Sequence, residues 1–76
     1  MNFNDFIKAQ EDFNNEIIAI ANKVTAIREY SYTRRGLKFD SRNPDKMLSI
    51  YEKQDIDALY AQMKAAAVAF TKAKNQ

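Results

Sequence analysis

Apolar residues fall at positions 3, 6, 13, 17, 20, 24 and 27, an alternation of three and four in which Gln10 is the single interruption. That is heptad spacing, so Phe3, Phe6, Phe13, Ile17, Ile20, Val24 and Ile27 share one face of a helix. Ile7, Ile18 and Ala21 widen the stripe, as a helix packed in a bundle requires. Asn2 or Asn4 can cap the start, and Asp5 lies in the first turn, where the helix dipole favours an acid. The spacing predicts a first helix over about 3–30, roughly 40 Å long.

A second seam runs through Ile56, Leu59, Met63, Ala66 or Ala67, Phe70 and Ala73, with Met47, Leu48 and Tyr51 forming an earlier one out of phase with it. Two starts compete for this helix. In the preferred reading Asn43 is the N-cap, Pro44 the first helical residue and Asp45 a first-turn acid, giving one helix over about 44–74 with a phase adjustment near Glu52 to Asp55. The alternative is a short helix from Pro44 and a break before a capping box at Ser49-Ile50-Tyr51-Glu52. Ala58, Ala61, Ala65, Ala66, Ala67, Ala69 and Ala73 give the helix high propensity and a smooth surface against which the aromatic side chains of the first helix pack.

The intervening stretch, about 31–43, is where the heptad fails, because it calls for apolar residues at 31 and 34 and meets Ser31 and Arg34. Helical packing is therefore expected to weaken after Ile27. Tyr30, Tyr32, Leu37 and Phe39 alternate around Thr33-Arg34-Arg35-Gly36, which fits an irregular connector or a short β-hairpin with Gly36 in the turn. In the competing reading the first helix continues to Arg35, and Gly36 closes it with Leu37 making the contact that follows such a cap. The fold class is all-α in either case, a single domain over 1–76 built as an antiparallel hairpin of two long helices. Both stripes are wider than one helix pair can cover, and 76 residues are few for a self-sufficient core. Self-association into a four-helix-type bundle, first as a homodimer, is thus expected, with Phe6, Phe13, Ile17, Ile20, Val24, Ile27, Leu59, Met63 and Phe70 in the oligomer seam. An unstructured end is expected at Lys74 to Gln76.

The chain has no Cys and no His, which removes disulfides, ordinary zinc and transition-metal sites, a Cys nucleophile and a His base. Glu11-Asp12 and Asp55 with Asp57 point to different sides of a helix and share no proton site. One glycine cannot build a phosphate-binding glycine loop. No enzymatic activity, cofactor or metal is expected. The start Met-Asn-Phe-Asn-Asp lacks the features of a secretory signal, and no apolar run reaches the roughly 20 residues that span a bilayer, so a soluble cytoplasmic protein without a membrane partner is expected.

Formal net charge is only +2, but its sign alternates along the chain: −2 over 1–27, +3 over 28–46, −2 over 47–57 and +3 over 58–76. In an antiparallel hairpin the basic tail would lie beside the acidic first segment, where Lys64, Lys72 and Lys74 also suit the helix dipole. Two functions follow. The first is a small non-enzymatic interaction protein that binds another protein, an accessory or inhibitory factor of the kind common in phages and mobile elements. That analogy rests on composition and carries no residue motif. The second is a phosphate-recognising module for RNA, DNA or a signalling nucleotide. Its candidate residues are Tyr30, Tyr32, Arg34, Arg35, Lys38, Phe39 and Arg42, where arginines suit phosphate oxygens and rings suit base stacking. Glu29, Asp40 and Asp45 lie in the same stretch and can neutralise arginine neighbours.

Overall fold

The structure, a computed structural model, describes residues 2–75; the expected domain limits at Met1 and Gln76, and the last residue of the expected unstructured end, lie outside them. Two helices, α1 (Phe3–Arg34) and α2 (Ile50–Lys74), pack against each other as an antiparallel hairpin, with no strand among the described residues. At about 1.5 Å per residue, the 32 residues of α1 span about 48 Å. The molecule is therefore a rod of 51 × 19 × 17 Å, whose Cα radius of gyration of 16.0 Å exceeds the roughly 11 Å of a compact chain of this length.

The interface follows both heptads. Ile20 and Val24 of α1 and Ile56 and Ala66 of α2 are buried, while Phe6, Phe13, Ile17, Ile27, Leu59, Met63 and Phe70 are half-buried. The residues expected in an oligomer seam thus line the joint between the chain's own helices. At the open end Phe13 stacks on Phe70 with ring centroids 4.7 Å apart, and Phe6 approaches the same ring at 6.4 Å. Phe3, the outermost member of the α1 seam, is exposed.

Helix α1 does not weaken after Ile27. Ser31 occupies the next heptad position and is fully buried, its hydroxyl donating to the Arg28 carbonyl at 2.7 Å. A small residue that satisfies its own polar group keeps the seam closed where a large apolar one was expected. The helix then ends in a Schellman motif. The Leu37 N–H donates to the Tyr32 carbonyl, the Gly36 N–H donates to the Thr33 carbonyl, and Gly36 takes φ +71°. The β-hairpin is thereby excluded: Tyr30 and Tyr32 are helical residues that precede the cap, and the connector over 35–49 is irregular.

Helix α2 starts at Ile50 and not at Pro44. Three successive turns occupy 40–48, closed by Asn43 N–H to Asp40 carbonyl, Lys46 N–H to Asn43 carbonyl and Leu48 N–H to Asp45 carbonyl. Pro44 sits at the second position of the middle turn, where its fixed φ is equally at home. The capping box begins the helix: Ser49 Oγ accepts from the Glu52 N–H at 3.1 Å and Glu52 Oε1 accepts from the Ser49 N–H at 2.8 Å. A continuous helix from Pro44 would have carried Met47 and Leu48 off the face set by Ile56 and Leu59; the turns leave both half-buried. Lys74 remains in the helix and Asn75 caps it.

Candidate functional site

The connector folds back on the last turns of α1 and is held there by side chains from both helices. Tyr32 is buried, its ring meeting Phe39 edge to face at 5.3 Å, and its hydroxyl donates to the Asn43 carbonyl. Burial pushes the pKa of that hydroxyl up. Arg28 ties three segments together. Its Nε donates to Asp45 Oδ1 at 2.5 Å, and one terminal nitrogen donates to Asp45 Oδ2 at 3.4 Å and to the Tyr60 hydroxyl of α2 at 3.3 Å. The hydrogen bond to Asp45, working against partial burial, raises the guanidinium pKa above its ordinary value.

Arg34 is committed in the same way, its Nη2 lying 2.7 Å from Glu52 Oε1, the oxygen that also closes the capping box. The end of α1 is thereby fastened to the start of α2. The Ser49 N–H, more than Arg34, holds the Glu52 carboxyl below its ordinary range. Asp40 organises the first connector turn by accepting from the Arg42 N–H at 2.9 Å and from Asn43 Nδ2 at 3.2 Å. These two bonds, Arg42 first, lower its pKa, and the nearby charge of Lys46 lowers it further.

The structure therefore divides the candidate residues. Tyr32, Phe39 and Arg34 build the connector, the first two as its packed centre and the third as a bridge to α2. Arg35, Lys38 and Arg42 are exposed and form no ion pair among the described residues, and Tyr30 is 60% exposed. Tyr30 borders a shallow groove with Ala26, Ile27, Glu52 and Asp55. Tyr51, expected in the early apolar seam with Met47 and Leu48, is instead 75% exposed, because α2 starts at Ile50 and turns that side chain outward; it shares a helix face with Asp55 four residues on. Sequence reasoning missed Tyr60 as the third partner of Arg28; the register that makes these contacts exists only once the hairpin closes.

The other feature is an apolar flank on the open half of the rod. One groove runs between the helices past Phe13, Ile17, Ile18, Met63, Lys64 and Ala67. Lys64 and Ala67 also border a second groove that continues to Val68, Thr71 and Lys72. Ile18 is 57% exposed, and Val68 nearly half so. Both ion pairs among the described residues lie at the connector end, so Lys64, Lys72 and Lys74 pair with none of the acids of α1. Lys74 instead stands over the Phe70 ring, 6.0 Å from its centroid. Among the described residues there is no cluster of acids able to hold a metal ion and no helix long and apolar enough to cross a membrane. Compared with known proteins, the chain matches no family model, no curated protein and no solved structure.

Proposed function

We propose that this chain is a small non-enzymatic interaction protein that self-associates as a homodimer, two hairpins forming a four-helix-type bundle, and acts by contact with another protein. The observation that carries this reading is the apolar flank from Ile18 to Val68, along two adjoining grooves that share Lys64 and Ala67, which the hairpin leaves exposed. Apolar strips of this kind mark contact surfaces.

A second copy fits the flank by charge as well as by hydrophobicity. Glu11 lies two turns before Ile18 on the same side of α1, and Lys64 and Lys72 border the grooves on α2. In a two-fold pairing that sets α1 of one copy over α2 of the other, Ile18 enters the Ala67 and Val68 groove while Glu11 approaches a lysine that has no partner within its own chain. Each such contact occurs twice by symmetry.

Substituting Ile18→Asp tests the reading, because that side chain is outside the intrachain joint. The variant is expected to keep its helical circular dichroism and to sediment as a monomer. Ile20→Asp, which places a charge at a 4% exposed core position, is expected to unfold the hairpin. An Ile18→Asp protein with the same mass in solution as the unaltered chain would refute the flank as the interface.

A further inference from the structure

We infer that the connector end of the rod is a docking surface for single-stranded nucleic acid, with Arg35, Lys38 and Arg42 contacting phosphates and the exposed rings of Tyr30 and Tyr51 receiving bases. The inference starts from charge accounting at that end. Arg28 is neutralised by Asp45 and Arg34 by Glu52, and Lys46 offsets Asp40, whose oxygens are also occupied by the Arg42 and Asn43 N–H groups. Three cations remain within eight residues of chain, exposed and free of any acid at ion-pair distance among the described residues. Over 35–42 the one acid is Asp40, so this segment carries a local charge of +2.

The tip is also preformed. The Schellman closure at Gly36, the Tyr32 and Phe39 packing and the Asp40 turn fix the backbone that carries the three cations, so little ordering remains to oppose binding. Two of the three are arginines, whose planar fork matches phosphate oxygens better than an ammonium does. Tyr30 borders a groove that Asp55 also lines, Tyr51 is one helical turn before Asp55 on α2, and both rings are exposed; stacking on exposed rings is how proteins hold unpaired bases without reading sequence. A duplex keeps its bases stacked internally and offers those rings nothing, which is why the single strand is the favoured occupant. None of these five residues belongs to the Ile18 flank, so the surface is open whether the chain is monomeric or dimeric.

The test is fluorescence anisotropy of a labelled 20-nucleotide oligothymidylate titrated with the full chain. Three phosphate contacts predict a slope of about −2 for log affinity against log salt, an affinity loss of about fifteenfold between 50 and 200 mM salt. Arg35→Ala, Lys38→Ala and Arg42→Ala together should weaken binding more than tenfold at 50 mM salt and leave the thermal midpoint unchanged, since none of the three side chains supports the fold. Lys8→Ala with Lys23→Ala, on α1 away from the tip, should change affinity less than twofold. Tyr51→Ala should weaken binding severalfold without altering the salt slope. The proposal is overturned by no binding at 50 mM salt, by equal losses in the triple variant and the α1 double variant, or by tighter binding to polyglutamate or phosphatidylserine vesicles, which would assign the tip to an acidic protein or a lipid surface.

Discussion

Glu52 Oε1 accepts from the Ser49 N–H and from Arg34 Nη2, so one carboxylate oxygen both starts α2 and holds it to the end of α1. Replacing Ser49 by Ala removes the other half of the box, at a cost of about 1 kcal/mol, which for a domain of this size lowers the thermal midpoint by about 4–8 °C in calorimetry. Glu52 and Asp40 both have folded pKa values below their ordinary ones. Their contribution to stability is present above about pH 4.5 and is lost as pH falls through the folded values. Tyr32 has the opposite sign, a folded pKa raised above its ordinary 10.0, so its contribution is present below about pH 10 and lost at higher pH. Thermal midpoints measured from pH 2 to 11 are therefore expected to be flat between about 5 and 9.5 and to fall on both sides. In Glu52→Gln, which cannot ionise, the acid limb should be shallower.

At the scale of elements, the hairpin depends on how each helix stops and starts. Gly36 is the one residue with positive φ among those described, and a Cβ there would meet nothing within 4 Å, so Gly36→Ala is penalised by backbone conformation alone, by about 1 kcal/mol. Gly36→Asn should cost less, and the difference between their urea midpoints checks the assignment. Much of this level was legible beforehand: both heptads, the Asn2 cap, the glycine cap with Leu37 beyond it and the Ser49-Glu52 box can each be read from local spacing, the last three as one of two alternatives each. The preferred boundaries were displaced for identifiable reasons. Ser31 breaks an apolar pattern without breaking the packing, because its hydroxyl is satisfied by the Arg28 carbonyl and its small volume suits a close approach. Asn43-Pro44-Asp45 serves a turn as well as it serves a helix start. The Arg28, Asp45 and Tyr60 contact spans 17 and 32 residues of sequence, so no local pattern announces it. The candidate site was legible as a region. Which of its cations are free could be read only after the ion pairs had formed.

At the scale of the molecule, two ends do different things. The connector end is fastened by both ion pairs and a packed pair of rings, whereas the open end relies on the half-buried Phe6, Phe13 and Phe70 and leaves its lysines unpaired. A rod 51 Å long and under 20 Å thick has little interior, and few side chains of this one are fully enclosed. A second hairpin on the Ile18 flank would turn half-exposed seam residues into core, and that pairing is the central claim. It is tested most directly by sedimentation equilibrium of the unaltered chain from micromolar to millimolar concentration at 0.15 M salt. The account predicts a mass near twice the 8.8 kDa of one chain across most of that range. A fully helical species that remains at 8.8 kDa up to the highest concentration would contradict it.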